Sequence, residues 1–400
     1  MTATGVDQFQ GLLSRRAAKG PRPPQGLAPH IKYRFGAGNP DPGSFPYTEL
    51  AQATVEVMEV EGAQALSYGG VYGHQELREW VCHKHKLFEN LDITPDNVLI
   101  TNGSGDALGL VIQTFVDGGD AVITEAPTFS ATLQTLRRNG ADIHGIEVDE
   151  EGMRTDLLAE KLAALAKAGK RCKLIYTIDN FQNPAGPSLS LSRRHQLLAL
   201  AKQYGIIVLE DDAYGELRFE GEQLPSLFAL DDAGLVARTG TLSKILGAGT
   251  RVGWVIAQPA LVPYLSSFNY GGGVAPFMSR ICHTYLKNNL EGHVADLCRI
   301  YKEKRDAMIG ELQAGLAGTD ASWYKPEGGF FLWVKLPTGT DPKRVMELAS
   351  AAGVGYVPGT AFMPNGGGEE YIRLAFSQES PDELRAGTRL LCAAILEAGA

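Results

Sequence analysis

The sequence predicts an α/β fold: a large domain whose mostly parallel seven-stranded sheet is covered by helices, followed by a small α+β domain. Two observations support this. From about residue 95, short apolar runs rich in Val and Ile alternate with helical stretches of a dozen or more residues. Such continuous apolar strands are typical of parallel sheets buried on both faces. After residue 275 the chain changes to long amphipathic stretches and shorter strands.

The elements follow in chain order. Residues 1–48 are punctuated by Gly and Pro, so we expect an arm rather than a domain with its own core. The large domain is predicted over 49–290, and its candidate strands are 97–101, 121–127, 173–178, 206–211, 235–241 and 252–257. Amphipathic stretches follow at 276–290 and 292–316. The small domain, 291–400, is expected to form a mixed sheet from the segments 328–336, 354–358 and 371–377.

Composition narrows the classes of function. The 400 residues are 44% hydrophobic and 21% charged, with a net charge of −9, so the chain lacks the basic footprint of a nucleic-acid binder. No apolar run approaches the roughly 20 residues that span a bilayer, and the polar start does not resemble a secretory signal. Five scattered cysteines form no CxxC pair. We expect a cytoplasmic protein that acts on a small molecule and holds no metal.

Four polar segments follow predicted strands, at the edge where open α/β sheets bind ligands. The first, at 102–106, carries Ser104 and Gly105 ahead of a helix, so free N–H groups there suit a phosphate. A serine N-cap explains the same residues. The second, FQNPAG at 181–186, contains Asn183 and also fits an ordinary turn.

The other two segments carry charge. EDDAY at 210–214 ends a buried strand with three carboxylates, which require partners if they are buried; a solvated strand end is the alternative. TGTLSK at 239–244 places Lys244 among hydroxyl residues, seven positions before Arg251. This arrangement fits a phosphate cluster or a nucleophilic amine, although a surface lysine would look the same.

Together these segments supply what pyridoxal phosphate needs. Lys244 is the amine that forms a Schiff base, and Asp211 is the carboxylate that faces the pyridine nitrogen. Asn183 and Tyr214 are donors for the phenolic oxygen. Phe129 lies just past another strand end, where it either stacks on the ring or fills the core.

On these residues the sequence resembles the fold-type I aminotransferases of class I and II, in the branch with aminoadipate, kynurenine and aromatic aminotransferases. The resemblance extends from FGAGNPDPGSFP to YIRLAFS. It implies transfer of an amino group between an L-amino acid and a 2-oxo acid, with 2-oxoglutarate expected, and Lys244 moving the Cα proton. It also implies that the phosphate is held by Ser104, the Gly105 N–H, Thr241, Ser243 and Arg251.

The resemblance further implies a homodimer, because Tyr68 matches a tyrosine that reaches the phosphate from the partner subunit. Arg373 in YIRLAFS matches the arginine that binds the substrate α-carboxylate, assisted by Asn183 and the Gly38 backbone. Asp211 is preferred to Asp212 for the ring nitrogen, since the family's aspartate lies three residues before the tyrosine.

Several positions depart from the family pattern. Gly105 stands where glutamine is common, Phe129 where tyrosine is common, and Asp179 where proline is usual. Gly247-Ala248-Gly249 replaces a common Ala-Pro-Gly. These departures keep open a different reaction on the same scaffold, such as decarboxylation, oxidative deamination, elimination or side-chain replacement.

Two further classes are disfavoured. A sensor domain of a transcription regulator needs a basic helix-turn-helix extension, whereas the expected arm has about 48 residues with many prolines. A non-catalytic binding protein would not require Lys244, Asp211 and Arg373 together. Substrate side-chain specificity is expected in the arm and in residues from the partner. The candidates in the arm are Arg15, Arg16, Arg22 and Tyr33, although a solvated face explains each of them equally well.

Overall fold

The computed structural model describes residues 11–14, 17, 30–269 and 274–399. The strands within it are β1 Tyr33–Arg34, β2 Val98–Thr101, β3 Ala121–Ala126, β4 Asp142–Asp149, β5 Gly152–Met153, β6 Cys172–Thr177, β7 Ile207–Asp211, β8 Val236–Thr241, β9 Gly253–Ile256, β10 Ser322–Trp323, β11 Phe331–Lys335, β12 Val354–Gly355, β13 Val357–Pro358 and β14 Tyr371–Ala375. The helices are α1 Tyr47–Ala65, α2 Gln75–Glu89, α3 Ser104–Phe115, α4 Ser130–Asn139, α5 Thr155–Lys167, α6 Leu191–Tyr204, α7 Leu227–Leu230, α8 Val262–Ser266, α9 Pro276–Gly315, α10 Pro342–Ala351 and α11 Pro381–Ala398.

The large sheet has the strand order β2-β9-β8-β7-β6-β3-β4-β5. Neighbours from β8 to β4 run parallel, whereas β9 is antiparallel to both β2 and β8 and β5 is antiparallel to β4. The predicted α/β class is confirmed, but the sheet has eight strands rather than seven. The added strand, β5, is only two residues long. Strand β4 has no counterpart among the candidate segments, because its half-buried residues alternate in polarity and form no continuous apolar run.

Both faces of this sheet are buried, as the apolar strands predict. In β7 the consecutive residues Val208 and Leu209 pack into two separate apolar clusters, because successive side chains of a strand point to opposite faces. Helix α3 covers the face of Leu209, and its Ala107 and Val111 are fully buried there. The polar residues that follow the strands are therefore held on a rigid scaffold.

A second sheet follows, with the order β10-β11-β14-β13 and every pair antiparallel. The expectation of a mixed sheet is therefore wrong. The predicted strand 354–358 is divided: β13 joins this sheet, while β12 pairs in parallel with β1. The two short strands belong to different sheets although only one residue, Tyr356, lies between them.

Helix α9 is continuous over 40 residues, so the two predicted amphipathic stretches are one helix. Gly292 lies inside it at a cost of about 1 kcal/mol relative to alanine. The proposed domain boundary at residue 290 falls within this helix, and α1 begins at Tyr47, two residues before the predicted start of the large domain. The division into arm, large domain and small domain stays a prediction. None of the described helices has both the length and the apolar composition to cross a bilayer.

Candidate active site

Lys244 lies three residues after β8, in a cleft where segments from distant parts of the chain meet. Its Nζ donates a hydrogen bond to the Gly38 carbonyl at 2.8 Å and lies 5.6 Å from the ring centroid of Tyr214. Burial, reinforced by the nearby Arg373 and opposed by Asp211, lowers the pKa of Lys244 to about 8. The cleft thus brings the lysine, the aspartate and the arginine into one electrostatic environment.

Asp211 ends β7 and is almost completely buried. Its Oδ2 accepts a hydrogen bond from the Tyr176 hydroxyl at 2.7 Å, and its Oδ1 accepts one from Thr239 at 3.2 Å. Burial raises the pKa of Asp211 to about 6, and the two hydrogen bonds partly offset that rise. A cation placed against this carboxylate would be held in a defined position.

Asp212 points to the other face of the sheet, where Arg238 donates to it at 2.5 Å. The structure therefore gives Asp211 and Asp212 different surroundings. From the sequence, only the resemblance to the family favoured one over the other for the ring nitrogen. Tyr176 and Thr239 were not predicted, although Thr239 lies directly opposite Asp211 in the parallel register of β7 and β8. Polar residues at equivalent ends of neighbouring strands are the signal that could have identified them.

The turn between β2 and α3 offers donors to an anion. Gly103, with φ of +80°, is the N-cap of α3, so Ser104 is the first helical residue and the serine N-cap reading is wrong. The first turn of a helix leaves N–H groups without intrahelical partners. Arg251 approaches this turn and donates to the Asn102 carbonyl at 2.7 Å. A Cβ on Gly103 would lie 2.8 Å from the Arg251 guanidinium, and the φ of +80° would strain any side chain at this position, so the turn favours glycine.

Two hydroxyl groups complete the donor set. Thr241 Oγ1 and Ser243 Oγ are 2.9 Å apart at the end of β8. A Cβ on Gly253 would lie 2.7 Å from the Ser104 nitrogen, so the glycine lets β9 pack directly against the turn. A Cβ on Gly105 would meet no described atom within 4 Å, and this leaves space for the glutamine common in the family. Hydroxyls, helix N–H groups and a guanidinium together match the chemistry of a phosphate.

Arg373 lies in β14 and is buried between two aromatic rings. The Phe331 and Phe362 centroids lie 4.1 Å and 4.6 Å from its guanidinium carbon. Its Nη1 donates to Asn183 Oδ1 at 3.0 Å and its Nη2 to the Gly36 carbonyl at 2.6 Å. Burial lowers the pKa of Arg373 to about 10. Its buried Nε has no hydrogen-bond partner among the described residues, so a donor is available to a carboxylate.

Burial raises the pKa of Tyr214 well above the ordinary value, and the nearby Arg373 and Asn183 oppose this rise. The Tyr214 ring packs edge-on against Phe330 at 5.4 Å and Phe331 at 5.9 Å. The phenylalanines come from the small antiparallel sheet and its approach, and nothing in their sequence surroundings identifies them as site residues. Phe129 is the half-buried residue that precedes α4.

Tyr68 lies apart from this cleft within its own chain. Its side chain is 93% exposed and lines a surface cavity of about 530 Å³ together with His74 and Arg280. Of the specificity candidates, Tyr33 is buried in β1, so its side chain is part of the core. Arg15, Arg16 and Arg22 lie outside the described residues.

Comparisons with known proteins give one consistent result. Residues 30–389 match the family model described as aminotransferase class I and II. The aromatic-amino-acid aminotransferase 1 of Thermococcus litoralis is 38% identical over 370 residues, covering 91% of this chain and 88% of that protein. The 2-aminoadipate transaminase of Thermus thermophilus is 34% identical over 362 residues, covering 89% and 88%. The crystal structure of Pyrococcus horikoshii kynurenine aminotransferase in complex with PMP superposes with a TM-score of 0.88 at 35% identity, covering 99% and 95%.

Proposed function

The chain belongs to the class I and II aminotransferases and is a pyridoxal-phosphate-dependent transaminase that moves an amino group between an amino acid and a 2-oxo acid, and we propose that the transfer takes place in the cleft around Lys244. One observation carries the proposal: an amine with a lowered pKa, a buried carboxylate and a buried guanidinium face the same cleft. Pyridoxal phosphate, when bound, supplies an aldehyde that accepts the amino group and a ring that takes up electrons from the substrate Cα.

The residues of the cleft fit this cofactor. The Lys244 amine would hold it, and Asp211 would keep a proton on its ring nitrogen, since a buried carboxylate is stabilised by an adjacent cation. Tyr214 and Asn183 would donate to the phenolic oxygen, and Phe129 would lie against the ring. The phosphate is bound by donors of the α3 turn and the end of β8, namely Ser104, the Gly105 N–H, Thr241, Ser243 and Arg251.

The same cleft fits the α-carboxylate of an amino acid. Arg373 binds it through parallel hydrogen bonds, and Asn183, which already holds the guanidinium, orients that donor pair. Binding of the carboxylate fixes which Cα bond faces Lys244. A pKa near 8 makes the neutral amine accessible close to neutral pH, so Lys244 removes and returns the Cα proton. Gly38, whose carbonyl now accepts from Lys244, borders the same space.

We further propose a homodimer in which Tyr68 binds the phosphate of the partner's cofactor. Two features support it. The tyrosine is exposed in a single chain, and apolar neighbours on α1 and the following loop, among them Met58, Val60, Leu66 and Val71, are exposed with it. An exposed apolar patch of this kind is typical of a surface that another protein covers.

Half-reaction spectroscopy tests the proposed function. Each amino acid of a panel is mixed with the cofactor-loaded enzyme, and the visible band of the cofactor and the 2-oxo acid formed are measured together. A true substrate removes the band and yields one equivalent of its 2-oxo acid, and added 2-oxoglutarate restores the band. The matched control is Lys244→Ala, which should show neither change. Loss of the band without formation of the 2-oxo acid would instead support a different reaction.

A further inference from the structure

A segment of the arm, residues 35–41, runs beside β14 and faces the two cations of the cleft; we call it the strap. The Gly36 carbonyl accepts from Arg373, and the Gly38 carbonyl accepts from Lys244. At its start, the Phe35 carbonyl accepts from the Ala375 N–H at 2.7 Å. The strap thus touches both groups to which the proposed function assigns substrate chemistry.

The far end of the strap is held by a buried lysine of α9. Lys304 is only 2% exposed, and its Nζ contacts Asp41 Oδ2 at 2.8 Å, the Ser377 carbonyl at 3.0 Å and the Gln378 carbonyl at 3.4 Å. An ammonium group has three donors, so these acceptors satisfy all of them. A buried lysine is stable only when paired in this way.

Two neighbouring hydrogen bonds reinforce this junction. The Tyr301 hydroxyl, one turn before Lys304 in α9, accepts from the Asp41 N–H at 3.1 Å. The Ser377 hydroxyl donates to the Asn39 carbonyl at 2.6 Å. Three segments that are far apart in sequence therefore meet at Lys304: the strap, the long helix and the loop that follows β14.

We propose that Lys304 is a positioning residue for the substrate site: it joins the strap to the loop after β14 and keeps the Gly36 and Gly38 carbonyls aligned with Arg373 and Lys244. Without Lys304, the far end of the strap keeps only the hydrogen bonds to Tyr301 and Ser377 among those described here, and the partner of the Arg373 Nη2 group is held less firmly. The α-carboxylate site loses its preorganisation, whereas the phosphate site, built on α3 and β8, is unaffected. The inference rests on the roles proposed for Arg373 and Lys244.

Steady-state kinetics of Lys304→Met test the proposal, because the unbranched methionine side chain matches that of lysine in length up to Cε and lacks the ammonium group. We expect KM for the amino acid to rise about 10-fold, the loss of roughly one charge-assisted hydrogen bond. The fall in kcat should be smaller than the rise in KM, and the affinity for pyridoxal phosphate should stay within about threefold. Lys304→Arg keeps the charge, so its KM should lie between those of the wild type and Lys304→Met.

The matched control is Lys302→Met on the same helix, whose ammonium forms exposed pairs with Asp306 and Glu220. It should leave KM unchanged.

Asp41→Asn provides a second variant, in which Lys304 keeps both backbone acceptors. Its KM should also rise, and this variant tests the proposal if Lys304→Met does not fold. An unchanged KM in folded variants overturns the proposal. Absence of transamination by the wild-type enzyme would overturn the proposed function instead.

Discussion

Asp211 and Asp212 are adjacent in sequence and equally buried, but their side chains have different partners. Within the described part of the chain, the hydrogen bonds to Asp211 come from two neutral hydroxyl groups, and its carboxylate faces the cleft. Asp212 is bound to the Arg238 guanidinium, which also donates to Glu89 at 2.6 Å and 2.8 Å. Asp211 is therefore the carboxylate for which we propose a role in chemistry, and Asp212 takes part in a buried charge network.

This difference predicts opposite effects of two equivalent substitutions. Asp211→Asn should lower kcat by about 100-fold or more, because it removes a charge placed against the reacting ring, with little change in thermal stability. Asp212→Asn should leave kcat nearly unchanged and lower the melting temperature, because it weakens the pairing of a buried arginine. Kinetics and thermal unfolding of both variants check this, and the reverse assignment of effects would transfer the catalytic role to Asp212.

Glu125 is a buried acid that the sequence did not point out. Its carboxylate accepts from Thr177 Oγ1 at 2.7 Å and from Gln182 Nε2 at 2.9 Å. The same Gln182 amide donates to the Pro127 carbonyl at 2.8 Å. Glu125 thereby connects the segment that leads to Phe129 with the turn that carries Asn183.

The titration of Glu125 gives a pH-dependent prediction. Burial raises the pKa of Glu125 to about 8, whereas an unfolded glutamate titrates near 4.3. Between these values the folded state holds the extra proton, so the free energy of unfolding falls as pH rises and levels off above the folded pKa. Relative to Glu125→Gln, the wild type should lose up to about 1.4 kcal/mol per pH unit within this window. Urea unfolding at several pH values measures the difference; a constant difference would contradict the prediction.

Helix α6 holds the turn that precedes it through one buried arginine. Arg194 is fully buried, and its guanidinium contacts Asp179 Oδ2 at 2.5 Å and the Asn180 side chain at 2.9 Å. It also donates to the carbonyls of Asp179 and Leu189 at 2.9 Å. The aspartate that stands where the family usually has proline is thus explained as the partner of a buried cation.

This arrangement predicts a contrast between two neighbouring ion pairs. Asp179→Ala should lower the free energy of unfolding by about 3–5 kcal/mol, because it leaves Arg194 buried without its anion. The control is Asp149→Ala, which removes the partner of the adjacent Arg193 in a pair whose carboxylate is 43% exposed; it should cost at most about 1 kcal/mol. Denaturant unfolding compares the two, and equal costs would show that Arg194 finds another anion.

At the level of the whole molecule, the role proposed for Tyr68 implies that one chain alone does not make a complete site. A hydrogen bond to a charged group contributes about 1.5–3 kcal/mol, so Tyr68→Ala should weaken cofactor binding at least about 10-fold. Hybrid dimers of Tyr68→Ala and Lys244→Ala chains then distinguish the two arrangements. A tyrosine acting on the partner predicts one intact site per hybrid and recovered activity at limiting cofactor. Mixtures no more active than the separate variants would place Tyr68 in its own chain's site.

Much of the cleft could be inferred from short stretches of chain. Lys244, Asp211, Asn183 and the α3 turn each follow a strand, and parallel strands bring their carboxyl ends to one edge wherever the rest of the chain lies. The strands themselves were recognisable in the sequence as continuous apolar runs, which are typical of strands buried on both faces. β4 was missed because only one of its faces is well covered, so its residues alternate in polarity.

The remaining features depend on contacts between residues far apart in sequence. Arg373 meets the Gly36 carbonyl across 337 positions. The rings that lie against its guanidinium come from β11, which carries Phe331, and from the short helical turn that ends at Phe362. No local pattern encodes such a meeting, because packing free energy depends on which surfaces adjoin after folding and not on chain neighbours. The sequence alone therefore determined which chemical groups are available to the cleft. Their distances, protonation and partners were decided only by the tertiary structure, in which the strap, α9 and β14 come together.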